Sequence, residues 1–158
     1  GKKIANYAKS FGMDVLVYDK YEVFDSRVIQ EKSLSNLLSK SDIVSIHLPL
    51  NEKTINMFSI EQFQKMKKNS ILVNTSRGEI INENDLIESL EKKYFYGAAL
   101  DVIQNEVGFK NHGNSTIVEY AKKNNRLLIT PHIGGATYES MEKTEVYMAN
   151  KIKDFYKN

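Results

Sequence analysis

Two hydrophobic periods alternate along this chain. Short apolar runs occur at Met13 to Tyr18, Asp42 to Ile46, Ser70 to Val73, Tyr94 to Leu100 and Arg126 to Ile129. Most are continuously apolar at their centres, the pattern of strands buried on both faces of a parallel sheet. Between them lie helical segments: Lys2 to Phe11, Ser33 to Ser39, Ser59 to Met66, Glu83 to Lys92, Ser115 to Asn124, and a longer one from Tyr138 to Tyr156. Boundary residues agree with this division. Ser33 with Asn36, Ser59 with Gln62, and Asn82 or Asn84 supply side chains that satisfy first-turn amides. Gly12 stands where a helix C-terminus favours a left-handed residue. Helix–strand alternation throughout predicts an α/β fold built on a doubly wound parallel sheet.

Composition narrows the function classes. A chain of 158 residues makes one ordinary domain with a real core, and 41% hydrophobic with 27% charged residues is normal for a soluble protein. The formal charge of +2 is too small to argue for nucleic acid or an anionic membrane. Without cysteine there are no disulfides, thiolate metal sites or cysteine nucleophile. No apolar run reaches membrane-spanning length and no secretory signal opens the chain, so a cytoplasmic protein is expected. The N-glycosylation patterns at Asn74 and Asn114 then read as chance. The three histidines are far apart with no recurring ligand spacing, so no metal site is expected.

Chemistry-bearing residues cluster at the ends of the apolar runs. In Leu128-Ile-Thr-Pro-His-Ile-Gly-Gly135 a strand stops and presents His132, with glycines freeing the backbone beyond it. The carboxyl ends of strands are where an α/β sheet places its chemistry. Arg77-Gly78 follows the run ending at Val73; arginine suits a forked grip on a carboxylate, though it could pair at the surface with Glu79 or Glu83. Past Gly97-Ala-Ala-Leu100 come Asp101 and Glu106, and the small residues predict a close backbone approach. A carboxylate on the far nitrogen of a histidine makes a tuned general acid/base, because the anion fixes the tautomer and favours the protonated ring. The chain opens on a helix that leads to Met13 to Asp19. In a dinucleotide-binding unit the third glycine of the turn sits near the helix start and an acid follows roughly 20 residues later. Gly1 and Asp19 fit those two places. The carboxylate of Asp19 would accept the ribose hydroxyls of NAD and repel a 2′-phosphate, or serve instead as a turn or cap residue.

Val44-Ser-Ile-His-Leu-Pro-Leu50, Asn74-Thr-Ser-Arg-Gly78, Gly97-Ala-Ala-Leu-Asp-Val102 with Glu106, and Thr130-Pro-His-Ile-Gly-Gly-Ala-Thr137 run in one order over nearly the whole chain. In them the chain resembles the nucleotide-binding domain of the NAD-dependent D-2-hydroxyacid dehydrogenases, the family of D-3-phosphoglycerate, D-lactate, glycerate and hydroxypyruvate enzymes. The resemblance implies hydride transfer between NAD(H) and a 2-keto or 2-hydroxy acid of D configuration. It implies that Arg77 orients the substrate carboxylate, that His132 exchanges a proton with the carbonyl oxygen, and that Glu106 hydrogen-bonds His132. Asp19 would hold the adenosine ribose and Asp101 the carboxamide of the nicotinamide. Thr75 and Ser76, with Gly134 and Gly135, would line the nicotinamide pocket; His47, Pro49 and Thr54 would lie on the adenine and pyrophosphate side. Glutamate at position 106 argues against formate dehydrogenase, which has glutamine there.

Departures from the family also shape the expectation. Val107 replaces a usual proline, and a polar insert carrying His112, read as a solvent-exposed histidine, separates Glu106 from Arg126. Residues 1–158 are expected to form a single NAD-binding, Rossmann-like domain lacking its first strand, with the substrate domain absent. Alone it is expected to bind NAD poorly and turn over little; the full-length protein is expected to be a homodimer. A non-catalytic, NAD-sensing module like certain transcriptional corepressors is the alternative, since it retains the same three residues.

Overall fold

The structure, a computed structural model, describes residues 1–21, 25, 27–106 and 115–156. Val107, His112 and Asn114 lie outside the described residues. Elements follow in the order α1 (Lys2–Ser10), β1 (Leu16–Val17), β2 (Ile29–Gln30), α2 (Leu34–Lys40), β3 (Ile43–Ile46), α3 (Ile60–Lys65), β4 (Ile71–Asn74), a 3-10 turn (Gly78–Ile80), α4 (Glu83–Glu91), β5 (Gly97–Leu100), α5 (Thr116–Lys123), β6 (Leu127–Ile129) and α6 (Tyr138–Phe155). The five strands and six helices expected from the sequence are present, most of them trimmed at their ends. Strand β2 was not anticipated. It has two residues, and its Ile29 is 59% exposed, so no apolar run marks it.

Local chemistry sets the boundaries. Helix α1 ends in a Schellman arrangement: Gly12 N–H donates to Lys9 O and Met13 N–H to Ala8 O, with Gly12 at φ +75°. Ser33 Oγ accepts from Asn36 N–H at the start of α2, and Asn82 Oδ1 from Asp85 N–H at the start of α4. Asn82, rather than Asn84, is therefore the cap.

Four strands form a parallel sheet in the order β3-β4-β5-β6, while β1 and β2 form a separate parallel pair. Register places Val44, Leu72, Ala98 and Leu127 in one row across the sheet, and Ile46, Asn74, Leu100 and Ile129 in the next. Both rows face α2–α5, whose Leu38, Phe63, Leu86, Leu90 and Ile117 complete the core. The opposite row, Ser45, Val73, Ala99 and Leu128, is only partly covered, with Leu128 62% exposed. Burial on both faces, expected from the apolar runs, is thus found on one. The physical reason is that α1 and α6 contribute no buried residue. Arg126 fastens the start of β6, donating to Leu90 O, Phe95 O and Tyr96 O at 2.5–2.7 Å.

Phe63 and Phe95 are fully buried with ring centroids 5.6 Å apart. Phe63→Ala should cost about 3–5 kcal/mol by urea unfolding, because transfer and cavity terms add. Leu128→Ala, on the open face, should stay below about 1 kcal/mol.

Candidate active site

The register aligns the carboxyl ends of β3–β6, and the chain leaves each of those ends carrying polar residues. Asn74 closes β4 and is fully buried. Its Nδ2 donates to Arg77 O at 2.9 Å and its Oδ1 accepts Ser76 N–H at 3.0 Å, so one side chain shapes the 74–77 loop. An asparagine so committed has no room for a glycan, in keeping with a chance match. Ser76 turns inward, its Oγ donating to Ile46 O of β3 at 2.7 Å. Thr75 and Arg77 are left on the exposed side. Arg77 donates to Ser76 O at 2.6 Å, and among the described residues it forms no ion pair with Glu79 or Glu83.

Next to it, Asp101 follows the end of β5 and is buried. Its Oδ1 accepts the Thr130 hydroxyl at 2.5 Å and Ile133 N–H at 3.0 Å, and its Oδ2 accepts Gly134 N–H at 2.8 Å. Burial pushes its pKa up, but those three hydrogen bonds, with the attraction of the nearby His132, hold the carboxyl below the usual range. Three of about four acceptor sites are therefore spent on tying β5 to the turn after β6.

That turn carries His132, whose backbone is left-handed at φ +54°, an uncommon conformation outside glycine. Its ring is half exposed, and Nδ1 lies 2.6 Å from Glu106 Oε2. Glu106 is less exposed, and its other oxygen accepts Ile103 N–H at 2.5 Å. The carboxylate thus fixes the imidazole by one atom and its own loop by the other. With Nδ1 engaged, Nε2 is the atom free to exchange a proton.

The remaining sequence-chosen residues lie along the same edge or at β1. A Cβ placed on Gly1 would stand 3.7 Å from His47 Cβ, so α1 begins beside the end of β3. The amides of its first turn have no side-chain cap. His47 Nε2 meets Ser45 Oγ at 2.9 Å, and partial burial of the ring lowers its pKa. Pro49 is exposed, while Thr54 is buried with its hydroxyl donating to Pro49 O at 2.7 Å and accepting Asn51 N–H at 2.9 Å. Thr54 therefore shapes the 49–54 loop from inside. Asp19 is exposed past β1; one oxygen accepts Tyr21 N–H at 3.0 Å, a turn role that leaves the other oxygen open. Gly135 faces open space. Uncapped helix amides, an exposed acid after β1 and an open Gly135 after β6 suit a dinucleotide. No cluster of metal-ligating residues occurs among the described residues, and no helix is long and apolar enough to cross a membrane.

Comparison with known proteins agrees with this geometry. The model of the D-isomer specific 2-hydroxyacid dehydrogenase NAD-binding domain matches residues 1–134. The chain belongs to that family, and its cofactor is NAD. Over 160 residues it is 33% identical to the glyoxylate reductase of Thermococcus litoralis, covering 99% of this chain and 46% of the relative. It is 34% identical to the D-3-phosphoglycerate dehydrogenase of Escherichia coli K12, covering 100% and 38%. The chain thus spans less than half the length of these relatives. Among solved structures, the NAD-complexed D-isomer specific 2-hydroxyacid dehydrogenase of Lactobacillus delbrueckii ssp. bulgaricus matches with a TM-score of 0.88 and 26% identity, over 100% of this chain and 50% of that one. The Aquifex aeolicus D-lactate dehydrogenase complexed with NAD and lactic acid matches with a TM-score of 0.83 and 29% identity, over 99% and 50%.

Sequence reasoning gave no supporting role to Asn74, Thr130, Glu79, Glu83 and Gln104, all of which shape the site from behind. Asn74 carried a usable signal, a polar residue ending a buried strand. The two glutamates entered only as an alternative surface pairing for Arg77, whereas they face the loop that carries Glu106.

Because Asp101 has a folded pKa below its unfolded value, its stabilisation is present above the ordinary carboxylate value near 3.9 and is lost as pH falls through the lower folded one. Asp101→Asn should cost about 1–3 kcal/mol at neutral pH. Urea midpoints should show that gap shrinking toward about pH 3; a gap independent of pH would contradict the assignment.

Proposed function

We propose that this chain is the nucleotide-binding half of an NAD-dependent D-2-hydroxyacid dehydrogenase, with Arg77, Glu106 and His132 as its catalytic residues. The observation that carries the reading is the 2.6 Å contact between His132 Nδ1 and Glu106 Oε2 at the carboxyl edge of the sheet. NAD, when bound, supplies or accepts the hydride. Gly1, Asp19, His47, Pro49, Thr54, Thr75, Ser76, Arg77, Asp101, His132, Gly134 and Gly135 are the residues we assign to holding it. Of these, Thr54, Ser76 and Asp101 act by shaping the backbone, since their polar atoms are engaged internally.

His132 Nε2 gives a proton to the substrate's carbonyl oxygen in reduction and takes it back in oxidation. Glu106 keeps the ring oriented and offsets its positive charge while Nε2 is protonated. Arg77, exposed and without a carboxylate partner among the described residues, grips the carboxylate of a 2-keto or 2-hydroxy acid through its fork. Cytoplasmic location and a homodimer complete the proposal, carried by the family resemblance. Strand β1 is an edge of the two-stranded sheet and β3 an edge of the four-stranded one. We infer that a further parallel strand seated between these edges, together with a substrate domain, is needed for turnover. The relatives named above are reductases and dehydrogenases, and no feature among the described residues favours a corepressor-like module.

Steady NADH consumption by the full-length protein with glyoxylate, hydroxypyruvate or pyruvate tests the activity. In that assay His132→Gln should lower kcat by roughly 10²–10⁴-fold, and near-normal turnover would remove His132 from the mechanism. Arg77→Lys should act mainly on KM, since lysine cannot reproduce the forked grip. An effect on kcat alone would argue against Arg77 as the carboxylate anchor.

A further inference from the structure

The loop that carries Glu106 is held by an arrangement the proposed chemistry does not use directly. Three successive amides are each capped by a different glutamate. Ile103 N–H donates to Glu106 Oε1 at 2.5 Å, Gln104 N–H to Glu83 Oε1 at 2.7 Å, and Asn105 N–H to Glu79 Oε1 at 3.4 Å. The Gln104 side chain adds a second fastening, donating to Ile81 O at 2.7 Å. Asn105 is left-handed at φ +56°, so the loop turns sharply just before Glu106. Gly78 permits the close approach: a Cβ there would lie 2.0 Å from the Ile103 carbonyl carbon and 2.5 Å from Gln104 N. The loop is therefore pressed against the 3-10 turn and the start of α4, with no slack on that side.

We propose that Glu83 is a positioning residue for the acid/base pair: by accepting Gln104 N–H from α4, it sets where the Glu106 carboxylate meets His132. The proposal rests on reading Glu106 and His132 as that pair. Of the three glutamates, Glu83 makes the shorter bond from outside the loop, and it sits in the first turn of a helix whose Leu86 and Leu90 are fully buried. A rigid element thus holds a site loop through one hydrogen bond. What the geometry asks of position 83 is an acceptor rather than a charge. Burial, and then the neighbouring carboxylates Glu79 and Glu106, raise the pKa of Glu83, while only the Gln104 N–H lowers it. Glutamine, which keeps a carbonyl oxygen at the same reach, should therefore substitute.

The test reads the ring nitrogens of His132 by ¹⁵N NMR, together with kinetics of the full-length protein. Glu83→Ala should lose the hydrogen-bonded Nδ1–H signal of His132 and lower kcat by about tenfold to 10²-fold, with KM nearly unchanged. Glu83→Gln should keep both. If Glu83→Ala fails to fold, Glu83→Leu keeps the bulk, removes the acceptor and carries the same expectation. A folded Ala or Leu variant with an intact Nδ1–H signal overturns the proposal, as does loss of the signal in Glu83→Gln. Glu106→Leu, which removes the acceptor, separates the two layers of argument. Loss of the signal there, with retention in Glu83→Ala, leaves the acid/base pair standing and removes only Glu83; an unchanged signal in Glu106→Leu removes the pair itself.

Discussion

The Asp101 carboxylate sits where the end of β5 meets the turn after β6, and the site takes its shape from that junction. A buried charge is tolerated because a hydroxyl and two amides satisfy it, the condition under which a desolvated carboxylate stabilises a structure. The bonds fix residues 130–134, and His132 lies inside that span with a left-handed backbone. On its other side Asp101 N–H donates to Asn74 O at 2.9 Å, so the β4 end is tied in as well. A Cβ on Gly134 would lie 2.9 Å from Asp101 Oδ2, too close for a side chain without movement. The junction thus excludes larger residues at position 134.

Polar groups at this edge divide into two layers. Behind it, Asn74, Ser76, Asp101, Gln104 and the glutamates at 79 and 83 are spent on backbone partners. In front, Arg77, His132 and Asp19 keep atoms exposed. Such a division is what preorganisation needs: exposed groups are held by groups engaged internally, and rotamer freedom is lost on folding rather than on binding. Glu106 belongs to both layers, one oxygen on its own loop and the other on the imidazole.

Much of this was legible in the sequence, for identifiable reasons. Apolar runs at Asp42 to Ile46, Ser70 to Val73 and Arg126 to Ile129 mark strands because their residues line a core. Ser33, Asn82 and Gly12 mark helix ends because capping needs those residue types. The pairing of His132 with Glu106 was legible through the family resemblance, not from spacing, since 26 residues separate them. Strand β2 was illegible because it is short and exposed. One-sided burial of the sheet was illegible too, since an apolar run does not say what covers its second face. The backing layer escaped because its polar residues work through backbone partners distant in sequence, as Glu83 does with Gln104.

A crystal structure of the full-length protein with NADH and a non-reactive 2-keto acid analogue is the most direct measurement. The account places His132 Nε2 and the Arg77 guanidinium on the analogue, within hydrogen-bond distance of its keto oxygen and carboxylate, and Asp19 on the adenosine ribose. An analogue bound elsewhere, or an Arg77 directed away from the His132 side of the sheet edge, would contradict it.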